Sequence, residues 1–370
     1  MRILYVTPLY LPWLGGLEIL CSQLLAELVA RGHEVAVLTA VNDHSVPLGE
    51  DVVQGVRVLR TDVYEARREV PMDLLLIQRE VARFTADFAP DVTHAHDPGA
   101  LLWVYQRGAA RRSPLLVTIH NVMTHHAPKQ LESMARMVRL ADWVVGVSDD
   151  VVQDTRTFAS LSAGRESVVV NGVVPPGPAP APVADGPARL LSVGRLVPQK
   201  GFDLALEALA LVVRERPEVR LDIVGEGPEE RHLREQIKAL GLVQHARLLG
   251  RVEHARIAGL MAAATAVVMP SRFEGMPLVA LEAGRTGRPV VGTAAPGLRC
   301  AVVDGHTGLL VPAEDPRALA AALLRVVDDR DLARKLGAAA RERIEVEHSL
   351  TRCVDEYEEL YSRLVQERAA

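Results

Sequence analysis

Two carboxylates stand eight positions apart in the segment that runs from Pro270 to Gly284. Glu274 belongs to a short polar loop after an apolar run, and Glu282 lies about two turns into the helical run that follows. The first N–H groups of a helix have no intrahelical partners and favour an anion. The segment therefore offers a place for a phosphate between two acids that can hold hydroxyl groups, which suits a nucleotide sugar. A surface loop with a capping acid and an ordinary helical glutamate is the alternative interpretation.

A second group of polar residues lies in the loop Gly194–Gly201, after another apolar run and before a helix. Arg195 carries a guanidinium fork that suits phosphate oxygens, and Lys200 carries a compact, mobile charge. The glycines at both ends allow a ligand to approach the backbone. Open parallel sheets bind ligands beyond the carboxyl ends of their strands, so this position favours phosphate binding over two exposed cations on a surface loop.

Two further strand exits in the second half carry weaker signals. Gly225 and Gly227 are turn residues, and on their own they indicate structure more than function. Arg251 and Val252 follow the next strand, where backbone groups can pair with the edge of a base and the base plane can rest on the guanidinium. An ordinary strand exit explains these two residues equally well.

The first half of the chain holds its own candidates near strand ends. Gly15 and Gly16 precede the first helix, and their N–H groups can approach an anion at its N-terminus, although a flexible turn explains them as well. His96 and His120 each close a predicted strand. A single histidine in such a place is often a satisfied core residue, whereas two at the ligand-facing edge of one sheet favour function.

The positions of these residues depend on strands and helices that alternate through both halves, a pattern that predicts parallel sheets with right-handed crossovers. The stretch Pro175–Pro182 excludes a helix or a central strand and indicates an extended linker. We therefore predict an α/β protein with two Rossmann-like, doubly wound domains that face each other across a central cleft. The predicted bounds are 1–174 and 188–349, with a linker over 175–187 and a final helix within 350–370 that returns to the first domain.

The composition argues against several classes of protein. The chain has 370 residues, enough for two domains, and its net charge of −5 gives no reason to expect nucleic acid as a partner. Three widely spaced cysteines show neither metal-ligand spacing nor a disulfide framework, so the cytoplasm is the expected location. No run approaches the ~20 apolar residues of a membrane span, and the N-terminal apolar run is too short for a signal peptide.

Taken in chain order, these residues resemble a known pattern. It consists of Gly15-Gly16, the strand Pro90–His96, Thr118-Ile119-His120, Asn171-Gly172-Val173, Gly194-Arg195, Lys200-Gly201, Gly225-Glu226-Gly227-Pro228, Leu249-Gly250, and Glu274 with Glu282. The pattern is similar to that of the retaining glycosyltransferases of family 4, which have the GT-B fold, and it covers nearly the whole chain. The E-x7-E segment and the Gly-Arg…Lys-Gly loop carry most of its specificity.

The resemblance implies an activity and a role for each residue. The enzyme would move a sugar from a nucleoside-diphosphate sugar, UDP- or GDP-linked, to a hydroxyl acceptor by front-face displacement, without a metal or another cofactor. Arg195 and Lys200 would hold the diphosphate, Glu282 the ribose and Glu274 the sugar hydroxyls, while His120 would lie beside the transferred sugar. Further contacts to the donor are expected from Gly15, Gly16, His96, Gly194, Gly225, Gly227, Arg251, Val252, Gly275, Met276, Pro277, Leu278 and Val279.

Two positions depart from the pattern of the family. The stretch Ala295–Arg299 lacks a glutamate that members often carry there, and Val174 stands where an aspartate commonly follows Asn171-Gly172-Val173. A nucleotide-sugar epimerase and a non-catalytic nucleotide-sugar binder share the fold and stay open as alternatives. An epimerase needs an extra acid–base set, and the sequence shows no obvious one.

The acceptor is expected to bind the loops Val41–Gly55 and Val122–Gln130 of the first domain. A glycan, a lipid-linked molecule and a small molecule all agree with the resemblance. Residues from Arg67 to Arg83 mix charged and apolar side chains, which indicates either peripheral contact with the inner face of a membrane or a docked amphipathic helix. The oligomeric state stays open.

Overall fold

The chain folds into two units, each with its own parallel sheet and hydrophobic core. The computed structural model describes residues 1–12, 15–41, 46–64, 71–108, 113–161, 164–174, 177 and 186–369. The first unit comprises Met1–Asn171 together with Leu350–Ala370, and the second comprises Gly172–Ser349.

The first unit alternates strands and helices, as its apolar runs predict. Its elements are β1 (Arg2–Thr7), α1 (Gly16–Ala30), β2 (Glu34–Ala40), β3 (Gly49–Val53), β4 (Val56–Thr61), α2 (Pro71–Phe88), β5 (Val92–His96), α3 (Ala100–Gly108), β6 (Leu115–Ile119), α4 (Pro128–Arg139), β7 (Trp143–Gly146), α5 (Asp149–Ala159), β8 (Glu166–Val168) and, at the end of the chain, α13 (Leu350–Ala369). Every residue of β5, β6 and β7 is buried. Continuous burial is typical of parallel strands that are covered on both faces.

The first sheet has the strand order β3-β4-β2-β1-β5-β6-β7-β8, and all neighbours except β3 and β4 are parallel. The chain proceeds from β1 to one side of the sheet and then returns to β5 on the other side. Doubly wound sheets bind ligands at such a switch point. In the register of β5 and β6, His96 lies opposite Thr118, so the residues that follow both strands share one edge of the sheet.

The strand β3 corrects one prediction, because it lies in the segment 41–55 that we expected to be a loop. Gln54 and Gly55 have positive φ angles of 51° and 84° and join β3 to β4 as a two-residue hairpin turn. Such turns need left-handed backbone at both positions, and asparagine or aspartate before glycine is their usual signal. Because Gln54 is not one of these usual residues, the hairpin was not predicted from the sequence.

The second unit repeats the alternation. Its elements are β9 (Arg189–Val193), α6 (Phe202–Glu215), β10 (Arg220–Val224), α7 (Glu230–Ala239), β11 (Ala246–Gly250), α8 (His254–Ala263), β12 (Ala266–Met269), α9 (Leu278–Arg285), β13 (Val290–Thr293), α10 (Leu298–Ala301), β14 (Gly308–Val311), α11 (Pro316–Asp328) and α12 (Arg330–Glu347). The strand order is β11-β10-β9-β12-β13-β14, and all neighbours are parallel. The switch point of this sheet lies between β9 and β12.

The final helix, α13, packs on the first unit, which confirms the prediction that it returns there. Tyr357 and Tyr361 are buried in the core of that unit. Arg31 pairs with Asp355 at 2.6 Å, and a ring nitrogen of His33 lies 2.6 Å from a carboxylate oxygen of Glu358. These contacts fix the helix along α1.

Two predicted segments include residues that the structure does not describe. The linker predicted over 175–187 is described only at Gly177, Gly186 and Pro187, and the candidate membrane-contact segment is described from residue 71 onward. Among the helices that the structure describes, none is both long and apolar enough to cross a membrane.

Candidate active site

The two loops that carry Lys200 and Glu274 lie side by side in the second unit. The loop after β9 ends in a single 3-10 turn, Pro198–Lys200, directly before α6, and the loop after β12 leads into α9. The strands β9 and β12 are parallel neighbours at the switch point of the sheet. The topology therefore brings together two residues that are 74 positions apart in the sequence.

Lys200 and Glu274 form an ion pair at this point. The ammonium nitrogen of Lys200 donates to both carboxylate oxygens of Glu274, at 2.7 and 2.9 Å, and the hydroxyl of Ser271 donates to one of them at 2.7 Å. Glu274 is only 4% exposed, whereas the Lys200 side chain keeps 19% of its surface exposed. The pair thus holds a cation at the carboxyl end of the sheet. Ser271 was not among the predicted site residues, and its only signal was its place in the same loop.

Further contacts connect the same two loops. Arg272 donates to both carboxylate oxygens of Asp203, at 2.8 and 3.0 Å, and lies 2.8 Å from Glu314. The side-chain amide of Gln199 donates to the carbonyl of Phe273 at 3.0 Å. Bidentate arginine–carboxylate pairs fix orientation as well as distance. The loops therefore hold Lys200 and Glu274 in a defined geometry before any ligand binds.

Several predicted glycines allow close approach of the backbone in these loops. At Gly201, where φ is 63°, a Cβ would overlap the carbonyl oxygen of Pro270. At Gly225, where φ is 140°, a Cβ would overlap the carbonyl oxygen of Gly194, and one at Gly227 would meet the backbone of the same loop. The structure thus gives Gly225 and Gly227 a packing role that supports the loop of Arg195.

Glu282 lies in an environment unlike that of Glu274. Its carboxylate lines a cavity of about 220 Å³ between α8 and α9, together with His254 and Arg285. A ring nitrogen of His254 lies 3.7 Å from the nearer carboxylate oxygen. Burial raises the pKa of Glu282 to about 7, although Arg285 acts in the opposite direction. The cavity therefore holds a carboxyl group that titrates near neutrality. His254 was not predicted from the sequence.

Two predicted cations remain open to solvent. Arg195 and Arg251 are exposed, and within the described part of the chain neither side chain forms a hydrogen bond or an ion pair. Val252, beside Arg251, is half-buried. Both guanidinium groups are thus available to an anionic or planar ligand.

The segment between the two acids is mostly enclosed. Gly275, Met276 and Pro277 are buried, while Leu278 and Val279, which begin α9, are half-buried. Gly297 closes over this segment with a φ of 76°, and a Cβ there would overlap the carbonyl oxygens of Glu274 and Gly275. The stretch Ala295–Arg299, which departs from the family's pattern, therefore packs through the backbone of Gly297 against the loop of Glu274.

The predicted anion site at the start of α1 already has an acid beside it. Gly15 is the N-cap of α1, and both Gly15 and Gly16 are exposed. A Cβ on Gly15 would overlap a carboxylate oxygen of Glu18, so this side chain lies next to the helix N-terminus, where an acid is favourable. A phosphate that binds at Gly16 would therefore have to displace the Glu18 carboxylate or bind beside it.

His96 and His120 lie together at the edge of the first sheet. A ring nitrogen of His96, Nδ1, lies 2.6 Å from Nε2 of His120. His96 is 2% exposed, and burial lowers its pKa well below the ordinary value; burial lowers that of His120 to about 3. Asp97 accepts from the backbone N–H of His120 at 2.8 Å and has a φ of 60°. The structure places His96 behind His120, and it adds Asp97, which we had not predicted.

The sequence matches two family models. The model described as glycosyl transferases group 1 matches residues 178–343, and the model described as Glycosyltransferase Family 4 matches residues 14–175. A glycogen synthase from Mycobacterium tuberculosis is 31% identical over 93% of this chain and 90% of its own length. The chain belongs to the family 4 glycosyltransferases. The prediction of the family, and of a transferase, is confirmed.

Solved structures of other proteins show the same fold. Sucrose-phosphate synthase from Thermosynechococcus elongatus superposes with a TM-score of 0.85 at 23% identity, over 99% of this chain and 100% of that one. HepE from Anabaena, in complex with UDP-glucose, superposes with a TM-score of 0.81 at 22% identity, over 98% and 100%. These likenesses confirm the predicted GT-B class, with two parallel-sheet α/β domains, for this glycosyltransferase.

Proposed function

We propose that this glycosyltransferase binds a nucleoside-diphosphate sugar in its second unit and transfers the sugar to a hydroxyl acceptor with retention of configuration. The observation that carries the proposal is the Lys200–Glu274 pair at the carboxyl ends of β9 and β12. A preorganised cation in that place stabilises the charge that develops on a departing diphosphate. Arg195, exposed on the same loop, supplies a second cation.

The two acids have different roles in this proposal. Glu274 holds Lys200 and still has lone pairs to accept from a sugar hydroxyl, because two carboxylate oxygens offer about four acceptor sites. Glu282 lines the cavity beside His254 and is suited to the paired hydroxyls of a ribose. No side chain is assigned as nucleophile, and the leaving phosphate takes the proton of the acceptor.

UDP and GDP sugars are the proposed donors. The solved HepE complex contains UDP-glucose, which supports UDP as the first nucleotide to test. We further propose that no metal takes part. The one Asp-x-Asp sequence of the chain starts α12, where Asp329 accepts from the backbone N–H of Leu332 at 2.8 Å and thus serves as a helix cap. Among the residues that the structure describes, no group of three His, Cys, Asp or Glu is arranged to hold a metal ion.

The acceptor and the location are further parts of this proposal. We propose that the first unit binds the hydroxyl acceptor and that His120 lies beside the transferred sugar, as the resemblance implies. Lipid-linked and free acceptors are both compatible with it. Cys21, Cys300 and Cys353 form no disulfide bond with one another in the structure, which supports a cytoplasmic location.

A binding and product experiment tests the proposal. Thermal shift with UDP, GDP, ADP and TDP identifies the base, and NMR of the product formed from the matching sugar nucleotide reports the anomeric configuration. We expect Lys200→Ala and Glu282→Ala to abolish the nucleotide shift, while Lys238→Ala, which removes an exposed lysine of α7 in the same unit, keeps it. Activity should survive EDTA.

Each alternative has its own signature in the same experiment. A new sugar nucleotide formed without acceptor indicates an epimerase, and nucleotide binding without transfer or hydrolysis of any donor indicates a non-catalytic binder. An undiminished shift in both Lys200→Ala and Glu282→Ala would overturn the site, and inversion of the anomeric centre would overturn the mechanism.

A further inference from the structure

One hydrogen bond, with a single proton in it, joins the rings of His96 and His120 in the first unit. Nδ1 of His96 and Nε2 of His120 are 2.6 Å apart, which requires one of the two nitrogens to donate and the other to accept. Burial lowers the pKa of both rings, so both are neutral at physiological pH. Two arrangements of protons then remain, and they differ in what His120 offers to a ligand.

The surroundings of His96 distinguish the two arrangements. Its other nitrogen, Nε2, is buried and has no hydrogen-bond partner among the described residues. If His120 donated, the proton of His96 would sit on this nitrogen as an unpaired buried N–H, and such groups are rarer in proteins than unpaired acceptors. If His96 donates, Nε2 is only an unpaired acceptor. Burial therefore favours His96 as the donor.

The position of His120 is also fixed by its neighbours. Its backbone N–H donates to Asp97, whose own N–H donates to the carbonyl of Thr118 at 2.8 Å. The ring of His96 is enclosed by Tyr5 and His94, with centroids 4.8 and 4.3 Å away. The ring of His96 cannot turn without disturbing this packing.

We propose that His96 is a positioning residue that holds His120 in the tautomer with its proton on Nδ1, so that His120 offers a hydrogen-bond donor to an oxygen of the transferred sugar. The identity of the ligand rests on the proposed function, whereas the tautomer does not. Nδ1 is the ring nitrogen that the pair leaves free, and it makes no hydrogen bond within the described part of the chain. Neutral rings suit a sugar hydroxyl, which carries no charge.

The tautomer is measured on the ligand-free protein. Long-range proton–nitrogen correlation spectra of nitrogen-15-labelled protein at pH 7.5 should show a protonated Nδ1 and a bare Nε2 on His120. The reverse pattern on His120 would overturn the proposal, whatever the enzyme transfers. Because this readout needs no substrate, its failure is distinct from a failure of the proposed function.

Variants of His96 test whether the tautomer matters for turnover. In His96→Phe the donor to His120 is lost, and we expect kcat/KM to fall by about 10-fold or more, with kcat carrying most of the loss. In His96→Asn a side-chain amide N–H can replace Nδ1–H, so at least half of the lost activity and the wild-type tautomer should return. Equal losses in both variants, with an unchanged His120 tautomer, would reduce His96 to a packing residue.

His94→Phe serves as the matched control. His94 is equally buried, but its ring nitrogens contact the hydroxyls of Tyr361 and Thr118, each at 2.7 Å, and not His120. We expect this variant to lower the melting temperature and to leave the His120 tautomer unchanged. If His96→Phe fails to fold, the wild-type spectrum and His96→Asn still decide the question. A change of the His120 tautomer in His94→Phe would contradict the assignment to His96.

Discussion

In the second unit the strand ends carry charge, with Lys200 and Glu274 paired at 2.7 and 2.9 Å. In the first unit the comparable strand ends carry His96 and His120, two neutral rings joined at 2.6 Å. The charged pair lies at the switch point between β9 and β12, whereas the histidine pair lies at the ends of β5 and β6, next to the switch point between β1 and β5. The same topology therefore supports a charged pair in one unit and a neutral pair in the other. In the second unit a neighbouring loop supplies a counter-ion for Lys200, whereas in the first unit burial keeps the histidines neutral.

This contrast agrees with the two halves of the proposed substrate. A diphosphate needs cations, and the second unit keeps them partly exposed. A sugar ring needs directional hydrogen bonds without charge, and burial in the first unit suppresses protonation of the histidines. Breaking the Lys200–Glu274 pair should thus impair stability and catalysis together, whereas lowering the pH should destabilise the first unit through its histidines.

The largest effect is expected for Lys200→Ala, which leaves Glu274 as a buried charge without its cation. Loss of one partner of a buried pair costs about 3–5 kcal/mol, and loss of a preorganised charge in a transition state costs about 100-fold or more in kcat. Urea denaturation and initial rates measure the two effects. The double variant with Glu274→Gln should regain stability and stay inactive; recovered activity would contradict the role of Lys200.

The next effect concerns acid and arises from the buried histidines of the first unit. Because burial lowers the pKa values of His94, His96 and His120, the unfolded chain binds protons below pH 6.5 that the folded unit excludes. Stability therefore falls as the pH drops below 6.5, by up to about 1.4 kcal/mol per pH unit for each histidine. Burial raises the pKa of Asp97 to about 6, which offsets part of this loss.

Tryptophan fluorescence measures this acid sensitivity, since all three tryptophans of the chain precede residue 171 and so belong to the first unit. The free energies of unfolding at pH 7.5 and 5.5 should differ by about 4 kcal/mol before the Asp97 offset, because three histidines contribute. His94→Gln should reduce the difference, and His306→Gln, at an exposed histidine of the second unit, should not. Equal slopes in all three proteins would show that the buried rings do not control the response.

A smaller effect is expected at the loop that carries Lys200. In Gly201→Ala the new Cβ meets the Pro270 carbonyl, so the loop must shift in addition to the cost of its left-handed backbone. Gly241→Ala is the control, because Gly241 has a similar φ of 70° and open space around its Cβ position. We expect Gly201→Ala to lose about 1–3 kcal/mol more than the control in denaturation and to weaken nucleotide binding. Equal losses would indicate that the close approach to Pro270 is unimportant.

The smallest effect concerns the protonation of Glu282. Its pKa of about 7 means that the carboxylate, the better acceptor for two hydroxyls, forms as the pH rises through neutrality. Affinity for UDP should increase by up to about 10-fold from pH 6 to pH 8 through this group. Calorimetric titration of wild type and Glu282→Gln separates this contribution from the titration of the phosphate itself. A wild-type pH dependence in the variant would remove Glu282 from the ribose site.

Much of the fold was predictable because its signals are local. Apolar runs such as Ala266–Met269 and the glycines and prolines that follow them mark strands and their exits without reference to the rest of the chain. The same local rule missed β3, where Gln54-Gly55 forms a turn that is usually signalled by asparagine or aspartate. Asp97 and His254 were missed because their partners, His120 and Glu282, lie on other segments. Ser271 was missed because a serine in a polar loop carries no local sign that it donates to Glu274.

Periodicity and turn chemistry act over a few residues, so they were enough to predict two parallel α/β domains with polar residues at their strand ends. They did not show which of those residues meet, because that depends on contacts between distant segments. Strand order joins Lys200 to Glu274 across 74 positions, and the returning helix brings Tyr361 to His94 across 267. Charge state was likewise a tertiary outcome, since burial keeps His96 neutral while a neighbouring loop keeps Lys200 paired.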